Sequence, residues 1–185
     1  MLNDRNRSDW LDDLVKRDRM TTEQALEICD MLPAVDIATI VGRWRGVEIS
    51  TGHPFDGLLG PLGWYGKESI DRDNVHPLLF VDGDRIFSVN PKWMPPDLIL
   101  NWPLARGKLA RILFRAAGLL LQTTEAHACL RMLEYRGKVS AAMIYDTLPV
   151  IDAFRLVDHD TLFGVMEMRG MDKPFIFRLH RDRGG

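Results

Sequence analysis

Tyr145 and Asp146, adjacent in the run MIYDTLP, place a phenol and a carboxylate at the end of an apolar stretch, where proton-transfer groups are often presented. Successive side chains of a strand point to opposite faces, so at most one of the two can look into an enclosed interior. The alternation of Val139, Ala141, Met143 and Tyr145 with Ser140, Ala142, Ile144 and Asp146 gives that place to Tyr145, and leaves Asp146 to the turn before Pro149. Further on, Asp152, Arg155 and Asp158 could grip a polar ligand end. The period of two sets Asp152 with Phe154 against Arg155 with Val157, so the three converge only through a bulge, and the plainer reading of Arg155 is a structural salt bridge. Glu134 and Arg136 flank Tyr135 in EYRG, on the face opposite to it. The catalytic candidates are therefore Tyr145 as acid or base, Arg155 as an anion holder and Glu134 as a helper. Trp44, Trp64, Tyr145 and Arg155 are the candidates for ligand contact. Trp44, in Gly42-Arg43-Trp44-Arg45-Gly46, reads first as a packed ring over which the glycines allow close approach.

Several chemistries have no motif to support them. The histidines at 53, 76, 127, 159 and 180 form no HxH or HExxH pair, so neither a metal site nor a cofactor is expected. There is no G-x-S-x-G elbow and no phosphate-cradling G-x-x-x-x-G-K-[ST] loop. Cys29 and Cys129 stand a hundred residues apart without metal or redox spacing, which suits reduced thiols and a cytoplasmic location. With 24 Lys and Arg against 26 Asp and Glu, the chain lacks the basic excess used to bind nucleic acid. The charged N-terminus MLNDRNRSDWLDDLVKRDR does not read as a signal peptide, and no apolar window is long enough for membrane insertion.

Elements must position these groups, and 185 residues suffice for a real core. Helices come first, in an N-terminal segment over 1–41. Trp10, Leu11, Leu14 and Val15 follow Ser8 at helical spacing, Thr21 and Gln24 form a capping box before a stripe ending at Pro33, and a turn runs over 36–40. From Gly42 the period changes to two, and one antiparallel β-barrel domain is expected over 42–185. Its strands run over 43–49, 64–70, 77–81, 85–89, 125–136, 139–145, 152–158, 162–169 and 175–180. Asp82-Gly83 and Gly137-Lys138 mark hairpins, PKWMPP is loop, and 104–121 reads as either helix or strand.

The G-x-W-x-G segment resembles the bacterial GXWXG protein family, as do WYGKESI and HPLLF, the resemblance covering about 32–90. The stretch Glu134 to Gly170, within about 123–180, is similar to the domain of unknown function that usually follows it. A G-x-W on the first strand is also similar to lipocalins and other calycins, whose antiparallel barrels enclose a small apolar ligand. That resemblance implies Trp44 on the barrel floor beside a last-strand cation, here Arg178, which joins the ligand-contact candidates. Haem barrels share the motif, but VEISTG after Gly46 lacks their glycine-rich continuation.

The leading expectation is a calycin-like, mainly β barrel preceded by helices that binds a small hydrophobic or aromatic molecule, since such pockets are apolar with few polar anchors. The alternative is a lyase or isomerase acting on a small aromatic or terpenoid compound in the same cavity. A third reading makes the N-terminal helices and PKWMPP an interaction surface. No nucleic-acid partner is expected, and the sequence leaves room for a homodimer.

Overall fold

In the computed structural model, which describes residues 20–94, 118 and 121–184, the alternating runs become one antiparallel sheet of ten strands. These are β1 (Gly42–Ile49), β2 (Trp64–Ser69), β3 (Val75–Asp82), β4 (Arg85–Val89), β5 (Gln122–Thr123), β6 (Ala128–Tyr135), β7 (Lys138–Tyr145), β8 (Val150–Asp158), β9 (Thr161–Met168) and β10 (Phe175–Arg181). Their order is β2-β1-β10-β9-β8-β7-β6-β3-β4-β5, and a further β2–β3 pairing closes the ring. The result is the mainly β, calycin-like architecture expected, with a helix in front of it. The expected helix after Ser8, Trp10 and Leu14 within it, the end of PKWMPP and nearly all of the ambiguous 104–121 stretch lie outside the described residues.

Alternation along the strands sorts side chains into two cores. Trp44, Phe80, Met143, Phe154, Leu162 and Phe177 belong to the cluster that fills the ring. Ile49, Val157, Phe163, Val165 and Ile176 point the other way, where helix α1 (Thr22–Met31) covers them with Ala25, Ile28 and Cys29. Each large side chain buried contributes about 1.5–3 kcal/mol. The capping box forms as read: Thr21 Oγ1 accepts from Gln24 N at 3.2 Å, and Gln24 Oε1 from Thr21 N at 2.9 Å. Arg136, at φ 48° in the β6–β7 turn, clamps Asp30 of α1 with Nε and Nη2 at 2.7 and 2.6 Å. No helix among the described residues is long and apolar enough to cross a membrane.

One end of the ring is closed by Trp44, which is 1% exposed. Its Nε1 donates to the carbonyl of Ile40 at 2.7 Å, at the end of the short helix α2 (Ile37–Ile40). A last-strand cation does lie against it, but it is Arg181, whose guanidinium carbon is 4.1 Å from the ring centroid. Arg178 is displaced from the expected role by strand parity. Phe175, Phe177 and Leu179 face inward, so Arg181 shares their side and pairs with Trp44, whereas Arg178 pairs with Val47 on the outer face.

β2 departs from regular alternation. Its register against β3 slips on both sides of Gly66, and Pro77 stands within the second irregularity. Gly66 has φ 147°, and a Cβ there would lie 2.0 Å from the Trp44 carbonyl oxygen, so the position admits only glycine. The slip rephases the strand: Trp64 packs in the interior, Tyr65 reaches outward to Asp182, and Lys67 turns back into the interior.

Candidate functional site

Lys67, Tyr145 and Asp152 meet inside the barrel. Tyr145 ends the inward row of β7, and Asp152 pairs in register with Met143 of that row and with Met166 of β9. Lys67 arrives from β2 through the bulge. Its Nζ donates to the Tyr145 hydroxyl at 2.9 Å and to the Pro77 carbonyl at 3.2 Å, and lies 2.8 Å from Asp152 Oδ2. Three acceptors thus lie within 3.2 Å of the ammonium. The ammonium also sits 5.4 Å from the Tyr145 ring centroid and 5.1 Å from that of Phe177, within cation–π range.

The cluster is dry, with the Lys67 side chain 4% and the Asp152 side chain 0% exposed. The Lys67–Asp152 contact is an ion pair by distance rather than an aligned hydrogen bond, because neither Asp152 oxygen has a hydrogen-bond partner of good geometry. Burial pushes the Asp152 carboxyl above its ordinary value, against the opposing charge of Lys67 and the side-chain contacts with Lys67 and Tyr145. Burial, reinforced by the Asp152 charge and by side-chain contact with that carboxyl, pushes the Tyr145 hydroxyl well up, so Tyr145 stays a phenol.

Tyr145 connects this cluster to a small cavity of about 60 Å³. The other walls are apolar, among them Phe55, Leu78, Val150, Met166 and Phe175. Four of the lining residues, Tyr145, Leu148, Val150 and Met168, also border a groove of about 490 Å³ between the β7–β8 and β9–β10 turns. The cavity therefore opens at the end of the barrel away from Trp44. Its remaining wall is a loop that two half-buried acids hold in place. Glu48 accepts from Gly57 N and Gly60 N, each at 2.7 Å, and Asp56 Oδ2 accepts from the amides of Thr51, Gly52 and His53 at 2.8–3.0 Å. Burial raises the Glu48 carboxyl above its ordinary value, which the loop amides oppose.

His53 packs edge-on against Phe55 and Phe175, and its Nδ1 accepts from Phe55 N at 3.0 Å. Burial lowers its pKa from 6.5, so the neutral ring stabilises the fold fully above pH 6.5 and that contribution is lost as the pH falls through the folded value. We expect His53→Asn, which keeps an acceptor near Nδ1, to remove from the acid side of the stability profile up to about 1.4 kcal/mol per pH unit. Urea unfolding of both proteins at several pH values below 6.5 checks this, and parallel profiles would contradict it.

Other candidates are placed elsewhere. Arg155 is fully buried, but on the outer wall below α1, with Nη2 donating to Tyr135 O at 2.6 Å and Nη1 to Phe154 O at 3.1 Å. Its guanidinium lies 5.9 Å from the Tyr135 ring centroid, so among the described residues carbonyls and an aromatic face hold it where a salt bridge was expected. Glu134 is solvent-exposed near the end of β6. Asp158 accepts from Asp160 N in the β8–β9 turn. Asp152, Arg155 and Asp158 thus do not converge, and Arg155 and Glu134 do not reach Tyr145's cavity. Trp64 is in the interior, edge-on to Phe177 at 6.0 Å, and neither it nor Trp44 lines the cavity. Lys67 was missed, and its available signal was a glycine inside a strand.

Two family profiles match the chain in sequence order. Residues 27–84 match the GXWXG protein profile, and residues 126–181 match a domain of unknown function, DUF4334. A crystal structure of a protein from Thermomonospora curvata is 30% identical, covers 96% of this chain and 99% of that one, and superposes with a TM-score of 0.69. The chain belongs to the GXWXG family. No curated protein matches it. The GXWXG motif is a packing device in this barrel. Trp44 closes the floor, and Gly46 leaves room for Trp64, whose ring a Cβ at Gly46 would approach to 2.3 Å.

Proposed function

We propose that the barrel binds a small hydrophobic or aromatic molecule at the end where the cavity of about 60 Å³ that Tyr145 lines adjoins the groove of about 490 Å³. The observation that carries this reading is an apolar chamber, with Tyr145 the one residue of its wall that bears a side-chain polar group, beside a groove with which it shares four lining residues. Small-molecule sites have this composition: apolar walls supply affinity and few polar groups fix orientation. An eight-stranded ring has room for side chains or one small ligand. A thermal-shift panel of aromatics, terpenoids and fatty acids tests it. A hit confirmed by titration, and weakened by Val150→Phe, which fills the cavity from its wall, is expected; a panel without a hit would contradict the proposal.

The Lys67–Tyr145–Asp152 cluster favours a second reading, a lyase or isomerase of a small aromatic or terpenoid compound. A phenol in a water-poor site can deliver a proton to a bound molecule, and the neighbouring ammonium and carboxyl can return it. In this reading Lys67 and Asp152 take the places that Arg155 and Glu134 held in the sequence. Turnover of a bound compound that falls at least 100-fold in Tyr145→Phe, with a bell-shaped pH dependence, is the expected result. Retention of the compound without conversion leaves the protein a binder.

A further inference from the structure

We infer that the loop between β1 and β2 is an acid-released gate over the chamber, with His53 as its latch. That a ligand passes through it rests on the cavity reading above; the gate itself does not. Phe55 and Leu59 of this loop form part of the chamber wall, and Phe175 of β10 lines it too. His53, 4% exposed, joins the two phenylalanines in one aromatic cluster. Its ring centroid lies 5.1 Å from that of Phe55 and 5.5 Å from that of Phe175, which are themselves 6.4 Å apart.

The latch is a bond that the neutral ring alone can make. Nδ1 accepts from Phe55 N at 3.0 Å, so Nε2 carries the ring proton. A second proton has to go to Nδ1, where it meets the Phe55 N–H, and two donors then face each other. The imidazolium would also lie against aromatic rings, with Nε2 buried and in no hydrogen bond of good geometry. Outward movement of the loop relieves both by giving the charge to water.

Burial is the largest influence on the ring and favours its neutral form, and the Lys173 ammonium on the β9–β10 turn adds to it. Asp56 of the same loop and the Lys173 backbone oppose, while β10 presents Phe175, which does not titrate. Glu48 of β1 holds the loop through Gly57 N and Gly60 N and acts in the other sense. Burial raises its carboxyl, so what it contributes is greatest at low pH and lost as the pH rises through the folded value. Release on acidification therefore falls to His53, whose contribution is lost as the pH drops below 6.5.

Amide hydrogen exchange reads such local opening without any ligand. With the open-state imidazole titrating at its ordinary value, a change from pH 7.5 to 5.5 raises the open population by about three- to tenfold. NMR-detected exchange of the full chain at the two pH values, each rate divided by the intrinsic rate of that amide, is expected to show this loss of protection at Phe55, Gly57 and Gly60. These amides are expected to exchange faster than those of β8 and β9 at both values, which marks an opening that leaves the barrel folded. The His53 imidazole resonances are expected to titrate over the interval in which the loop opens. In His53→Asn, whose side-chain oxygen can take the Phe55 N–H, the acid loss at the loop is expected to vanish while the strands stay protected. Loop protection that does not change with pH, or that equals the protection of β8 and β9, overturns the gate. So does an imidazole titration outside that interval, or an undiminished loss in His53→Asn. Each of these results leaves the cavity reading standing.

Discussion

Replacing Lys67 by methionine is expected to destabilise the fold by about 3–5 kcal/mol, the loss typical when one partner of a buried ion pair is removed. Methionine keeps most of the lysine volume, so packing is not the main change. What is lost is the only cation beside Asp152 among the described residues, and Asp152 is a carboxyl with no exposure and no aligned hydrogen bond. In the variant Asp152 must take up a proton or remain charged in a dry interior, and both are unfavourable at neutral pH. The Tyr145 hydroxyl loses its donor in the same step. The double variant Lys67→Met/Asp152→Leu is expected to recover most of the loss, since an apolar pair of similar volume is often as stable as the ions it replaces. Urea unfolding of the wild type, both single variants and the double variant completes the cycle. A single-variant loss below about 1 kcal/mol, or a double variant no better than Lys67→Met, would contradict a coupled pair.

A comparable loss, about 4 kcal/mol, is expected for Gly66→Ala, through strain in the backbone rather than charge. The added Cβ would lie 2.0 Å from the Trp44 carbonyl oxygen and 2.8 Å from Gly46 N, and neither is the free end of a side chain. Relief requires β1 and β2 to separate at the bulge. The φ of 147° adds conformational strain of its own for any residue with a side chain. The bulge also aims Lys67 inward, so the variant is expected to lose ligand affinity along with stability. An unchanged denaturation midpoint would show that the bulge is not held by this close contact.

The barrel was legible in the sequence because alternation is strong where one face is buried. Val139, Ala141, Met143 and Tyr145 read as one face and Asp152 fell beside Phe154; the structure turns Ala141, Met143, Tyr145, Asp152 and Phe154 inward and leaves Val139, at the start of β7, exposed. Those two rows supply two members of the cluster. The third was hidden by a local break in the period. WYGKESI read as a regular strand puts Lys67 opposite Trp64, whereas the bulge at Gly66 brings both inside. The glycine within the strand, with Pro77 on its neighbour, was the trace of that bulge. Arg178 failed for the opposite reason: the resemblance suggested a last-strand cation, and the parity of Phe175, Phe177 and Leu179 already pointed to Arg181. Arg155 carries little warning, since a buried arginine bound to carbonyls and an arginine lining a cavity have the same sequence. The cavity's loop wall depends on Glu48 binding the amides of Gly57 and Gly60, nine and twelve residues further on, a separation that no strand or helix period encodes.

The most direct test of the account is native mass spectrometry of freshly purified protein beside Val150→Phe, followed by denaturing extraction of whatever is released. The account predicts a stoichiometric mass increment on the wild type that yields a small apolar compound, and its absence from the variant. A wild type that carries nothing and gains no thermal stability from the panel, or an increment that Val150→Phe retains, would contradict it.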